Sequence, residues 1–129
     1  MPTQIVVAGA LITGSQLLVA QRRHPPELAG LWELPGGKAA DDESDSAALA
    51  RELREELGVE VVVGERLAGD VQIGAGVLRA YFVSCAHGTP HAHEHRALRW
   101  IGAAQLAELA WVPADTAWLP QLEAALRRT

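Results

Sequence analysis

The sequence predicts an α+β fold, a mixed β-sheet with helices packed on it. Three observations carry that expectation. Runs rich in β-branched residues alternate with turn residues, one acidic segment repeats its leucines at helical spacing, and a second helical pattern closes the sequence. With 49% of its 129 residues hydrophobic, the chain can bury one core, so residues 1–129 read as a single domain.

The elements follow in order. "QIVVAGALI" and "SQLLVAQRR" read as two strands joined at Thr13-Gly14. From Arg23 to Lys38, "RHPPELAGLWELPGGK" holds three prolines and three glycines, which predicts a structured loop around one short strand. Loops of that length usually carry function. "DDESDSAALARELREELG" supplies Asp and Ser for a helix start and Gly58 for its C-terminal cap, marking the main helix. "VEVVVGERL", "GVLRAYFVSC" and "HRALRWI" read as strands, and "GAAQLAEL" and "TAWLPQLEAALRR" as short and final helices.

Charge narrows the partners. Eleven Lys and Arg against 16 Asp and Glu give a net charge of -5, which argues against a surface that holds nucleic acid polymers. A small anionic ligand then needs a local cationic or metal site. Cys85 is alone, so no internal disulfide forms, and "MPTQIVVAGALITG" has no basic segment ahead of its short apolar run. No apolar stretch reaches the roughly 18 residues of a membrane span. The expected location is cytoplasmic, with no membrane partner. A homodimer is open as well: "QIVVAGALI" as an edge strand would pair with its twin, unless the fold covers it.

On a wheel at about 100° per residue, Leu49, Leu53 and Leu57 span an arc of roughly 80°, the core face. Glu52, Glu55 and Glu56 occupy the adjoining arc, at the edge of the buried stripe. Two readings fit that edge. Converging carboxylates suit a hard divalent cation, Mg²⁺ or Mn²⁺; alternatively they form a solvated acidic face neutralised by Arg51 and Arg54.

The flanking residues favour the first reading. Gly37, Glu43, Arg51, Glu52, Leu53, Glu55, Glu56, Gly58 and Val59 match G-x5-E-x7-R-E-U-x-E-E-x-G-U, U being a bulky aliphatic. This is the Nudix box, matched at all nine fixed positions over 23 residues. The sequence resembles the Nudix hydrolases, which cleave nucleoside diphosphates linked to another moiety. "LWELPGGK" looks like their MutT-type branch, and "QIVVAGA", "VAQRRHPPELAG" and "WVPAD" resemble the mycobacterial MutT homologues and the CTP pyrophosphohydrolase subgroup.

The resemblance implies the Nudix fold, an α/β/α sandwich with a mixed central sheet and a loop-helix-loop. It implies that Glu52, Glu55 and Glu56 hold Mg²⁺ and form the catalytic group, with the Gly37 carbonyl as a further ligand. Glu43 and Arg51 match the family pair that ties loop to helix. Glu94, in "EHRALRW", matches a glutamate outside the box that binds metal or acts as base. Arg22 falls where MutT-type enzymes turn an arginine toward the nucleotide.

Further substrate contacts come from the residues themselves, each beside a plainer role. Lys38 could reach a phosphate or stay solvated. Arg79 and Tyr81 share a strand face that could line the cleft, or Tyr81 could be core. Leu34, or Trp32 two positions earlier, offers an apolar wall for a base. His91, His93 and His95 alternate and suggest zinc, although no cysteine completes a set. Asp115 stands where classical MutT has asparagine. An ionised aspartate only accepts, which suits the N4 amino group of cytosine, and a helix N-cap is its other role.

The expected function is Mg²⁺-dependent hydrolysis of a small-molecule nucleoside triphosphate, CTP, dCTP or 5-methyl-dCTP, to monophosphate and pyrophosphate. Alternatives are sanitising 8-oxo-dGTP, cleaving ADP-ribose or dinucleoside polyphosphates, and a non-catalytic nucleotide sensor.

Overall fold

In the computed structural model, which describes residues 3–128, strand β1 (Gln4–Thr13) is buried on both faces: Val7 and Leu11 point one way, Ala8 and Ala10 the other. A strand of that kind needs a layer on each side. Helix α1 (Asp45–Leu57) covers the first face, with Leu49, Leu53 and Leu57 fully buried beside Val7, Leu11, Leu18 and Val83. Helix α2 (Leu119–Arg127) and Trp118 cover the second, in a core with Leu17, Val19, Leu78 and Leu122.

The sheet also contains β2 (Gln16–Gln21), β3 (Trp32–Glu33), β4 (Gly36–Lys38), β5 (Glu60–Arg66), β6 (Val71–Ile73), β7 (Gly76–His87) and β8 (Ala97–Ile101). Its order is β3-β2-β1-β7-β5, with β4 on β1, β6 on β7 and β8 on β2. Only β1 and β7 run parallel, in register from Gln4 with Gly76 to Leu11 with Val83, so the sheet is mixed as expected. β1 is therefore no edge strand. Hydrogen bonds to β7 on one side and to β2 and β4 on the other leave it no room to pair with a twin.

Three further differences from the sequence reading have local causes. The Arg23–Lys38 segment holds two short strands, because Pro35 interrupts them. The hairpin of β6 and β7 closes at Gly74, whose φ of 58° lets so short a strand turn back. The two C-terminal segments begin as 3₁₀ helices, Ala103–Glu108 and Pro113–Trp118; α2 starts at Leu119, and Pro120 sits in its first turn where a missing N–H is harmless. Among the described residues no helix is long and apolar enough to cross a membrane.

Candidate active site

The main helix is capped as its sequence requires. Ser44 Oγ accepts from Ala47 N–H at 3.1 Å, and Gly58, at a φ of 74°, donates its N–H to Arg54 O at 3.0 Å. Burial of three leucines, each worth about 1.5–3 kcal/mol, fixes the rotation of α1 and hence the direction of its acidic edge. The three glutamates on that edge end in different surroundings. Glu56 is buried, Glu52 is half-buried and Glu55 is exposed.

Glycine brings the loop onto that edge. A Cβ on Gly37 would land on the Glu52 carboxylate, and one on Gly36 would strike the Val7 carbonyl, so both positions depend on the missing side chain. Arg51 organises the rest. Its guanidinium donates to Glu43 Oε2 at 2.7 Å and Oε1 at 2.9 Å, to Glu52 Oε1 at 3.0 Å and to Lys38 O at 3.1 Å. The bonds to Arg51 hold the Glu43 carboxyl down at about 2.

Glu56 meets no guanidinium, and a backbone bond from Gly36 only partly offsets its burial. Burial pushes its carboxyl up to about 8, with Glu52, Glu94 and Glu33 adding repulsion, and its Oε2 is buried with no hydrogen bond. Burial also raises Glu52, against the pull of Arg51. Glu94 reaches this edge from the 88–96 loop, lining with Glu56, Glu33, His95, Gly36 and the basic Arg22 and Arg23 a cavity of about 210 Å³.

These oxygens fit a divalent cation. An orphaned buried carboxylate oxygen, a desolvated neighbour one turn away and a backbone cradle form a hard-oxygen donor set. Among the described residues no three or more His, Cys, Asp or Glu side chains are gathered so that they could hold a metal ion by themselves. The arrangement is an open site, of the kind Mg²⁺ occupies through one or two carboxylates, waters and substrate phosphates.

A second, apolar cavity of about 380 Å³ adjoins the first, a size that suits a small ligand. Val6, Ala8, Leu34, Ile73, Leu78 and Val112 line it, together with Leu28 and Asp115. Asp115 is 3% exposed, and its Oδ2 accepts from Leu34 N–H at 2.7 Å. Burial pushes this carboxyl up to about 7, partly opposed by the Leu34 bond. It does not cap the helix: the N-cap of Pro113–Trp118 is Val112.

Arg22 and Glu33 line both cavities. They form an ion pair at 2.9 Å, and the other Glu33 oxygen meets His95 Nε2 at 2.9 Å. Sequence reasoning overlooked Glu33. Its signal was the alternation in "LWEL", which sends Glu33 away from the Trp32 and Leu34 side.

Other expected residues lie elsewhere. Arg79 and Tyr81 do share a face, but it is the face under the start of α1, where Tyr81 Oη donates to Asp45 Oδ2 at 2.6 Å and Arg79 pairs with the same oxygen at 3.2 Å. Neither lines either cavity. Lys38 is exposed on β4 outside both, and Trp32 packs in the core with Arg99 5.7 Å above its ring. The three histidines do not converge for zinc: His95 turns to Glu33, while His91 and His93 meet edge to face.

An acidic helix edge and glycine loop beside an apolar cavity fit an enzyme that handles the phosphates of a small ligand. Comparison with known proteins agrees. The NUDIX domain model matches residues 3–122. The chain is 55% identical to "Putative 8-oxo-dGTP diphosphatase 2" of Mycobacterium tuberculosis, over 98% of this chain and 92% of that one. It is 44% identical to "CTP pyrophosphohydrolase" of Escherichia coli K12, over 92% and 88%. The solution structure of the E. coli ORF135 protein superposes with a TM-score of 0.79 and 40% identity, over 98% and 92%. The chain belongs to the NUDIX family, and by class it is a Nudix nucleotide pyrophosphohydrolase with the α+β fold of MutT-type neighbours.

Proposed function

We propose that this enzyme hydrolyses CTP, dCTP and 5-methyl-dCTP to the monophosphate and pyrophosphate. The observation that carries this is Asp115, a buried carboxyl lining the apolar cavity with one oxygen already fixed by Leu34 N–H. An ionised carboxylate so held accepts from the cytosine N4 amino group. A second reading, 8-oxo-dGTP, is favoured by a specific property of the same residue. With its carboxyl pushed up to about 7, Asp115 is partly protonated at neutral pH and then both donates and accepts, as asparagine does.

On this reading the base enters the apolar cavity, Leu34 and Leu28 flank it, and Arg22 and Arg23 draw the phosphates toward the acidic cavity. Glu52 and Glu56, one turn apart, with Glu55 and the Gly37 carbonyl, would hold Mg²⁺ or Mn²⁺. The ion would neutralise phosphate charge and lower the pKa of a bound water. Glu56 or Glu94 takes the proton of the attacking water. By resemblance to MutT, attack falls at the β-phosphorus; hydrolysis in ¹⁸O water is expected to label pyrophosphate, and label in the monophosphate would refute it.

The deciding experiment is steady-state kcat/KM with Mg²⁺ across dCTP, CTP, 5-methyl-dCTP, 8-oxo-dGTP, dGTP and ADP-ribose, at pH 6 and 8, on wild type and Asp115→Asn. A cytosine preference that grows with pH and weakens in the variant is expected, with a bidentate base contact worth about 1–3 kcal/mol. Preference for 8-oxo-dGTP or ADP-ribose at both pH values, untouched by the substitution, would overturn the assignment.

A further inference from the structure

His95 has no place in the chemistry described so far, yet it is one of three polar or charged side chains in the described chain that are buried, the others being Glu56 and Asp115. Its Nδ1 is buried with no partner, so the ring is held through Nε2 alone, 2.9 Å from Glu33 Oε2 across 62 residues of sequence. Since a carboxylate only accepts, Nε2 carries the hydrogen and donates. Glu33 is itself held on its other oxygen by Arg22 at 2.9 Å.

The loop that contains His95 has no regular structure over residues 88–96 and crosses the C-terminal end of α1. Backbone bonds pin it at His91 N–H to Leu57 O, 2.9 Å, at His93 N–H to Glu56 O, 3.3 Å, and at Arg96 N–H to Gln21 O, 2.8 Å. Glu94 lies between the His93 and His95 attachments. Its own side chain is exposed, so its position over the acidic cavity comes from the anchors on either side.

We propose that His95 is a positioning residue: its bond to Glu33 latches the 88–96 loop so that Glu94 is held beside Glu56 when substrate is bound. Glu33 lines both cavities, so the latch ties the loop to the strand that also forms the wall of the base cavity. The proposal rests on the reading of Glu94 as a group that acts in the reaction. It gives His95 no contact with substrate.

The test is steady-state kinetics with Mg²⁺ and dCTP on His95→Leu, His95→Asn, His95→Gln, Glu94→Gln and the His95→Leu/Glu94→Gln double variant, each checked for native circular dichroism. Misplacing a reacting group by about 1 Å costs up to about 10²-fold, so kcat is expected to fall about 10- to 100-fold in His95→Leu with KM within about threefold. His95→Gln, whose amide can donate to Glu33, should return to within about threefold of wild type, whereas the shorter Asn should not. In the Glu94→Gln background, loss of His95 should add less than about twofold, because both act through one group. Should His95→Leu not fold, the contrast between Asn and Gln carries the same expectation.

A folded His95→Leu with wild-type kcat, losses that multiply in the double variant, or a raised KM at unchanged kcat would overturn the latch. Glu94→Gln at wild-type rate would overturn both the latch and the role of Glu94. A damaged Glu94→Gln beside an unharmed His95→Leu would sink the latch alone.

Discussion

At the start of α1, Asp45 accepts from Tyr81 at 2.6 Å and pairs with Arg79 at 3.2 Å; Arg79 also reaches Asp70 at 3.4 Å, and Asp70 in turn is paired with Arg66. About three turns along the same helix, Glu56 is buried with an oxygen that nothing satisfies, and the charges that weigh on it are those of other carboxylates. One end is electrostatically closed and the other open. Closure stabilises the fold and leaves nothing over for a ligand, whereas the open end holds unfavourable charge that a cation and phosphates can relieve. The acidic residues of one helix thus divide into structural and functional by what pairs with them.

The largest test of that contrast is Glu56→Gln. It keeps the shape and removes the charge, and kcat is expected to fall about 10²- to 10⁴-fold, as for loss of a general base. Hydrolysis at the wild-type rate would show that the open end is not where chemistry occurs.

Next in size is the stability of the metal-free protein. Glu56 ordinarily ionises near 4.5, but folding holds its proton up to about 8. Between those values folded Glu56 holds a proton that the unfolded chain has lost, so its contribution to stability is full below about 4.5 and is lost as pH rises toward 8. The slope is at most about 1.4 kcal/mol per pH unit from this group. Asp115 acts in the same sense up to about 7. Thermal unfolding in EDTA should therefore show a Tm that declines through this window, and Glu56→Gln should flatten it and raise Tm at pH 8. A Tm in EDTA that rises with pH across the window would contradict the buried state of Glu56 without a cationic partner.

The smallest effect is expected at the closed end. Arg79→Ala removes a partly exposed pair worth about 0–1 kcal/mol, lowering Tm by a few degrees and leaving kcat/KM within about twofold. A tenfold rise in KM would instead place Arg79 on the substrate, as its strand position alone suggested.

The site was legible where it is local. Helical spacing put Glu52 and Glu56 one turn apart beside the leucine stripe, and the helix is bounded by the Ser44 hydroxyl at its start and by the left-handed backbone of Gly58 at its end. The wheel also places Glu56 about 20° from Leu49 and Glu55 about 120° from it, in line with the burial of the one and the exposure of the other, but it gives no sign that Glu56 Oε2 is left without a partner. For Arg79 and Tyr81, period two correctly put both side chains on one face of β7, but the identity of that face depended on where α1 docks.

By itself the sequence determined the family, the acidic helix edge, the turn glycines and the mixed α+β class, all of which follow from short-range geometry and a 23-residue pattern. Only the tertiary structure decided which charges stay unpaired. The Leu34 bond to Asp115 spans 81 residues, His95 to Glu33 spans 62 and Arg79 to Asp45 spans 34. Chain packing brings these partners together, so no local pattern announces them.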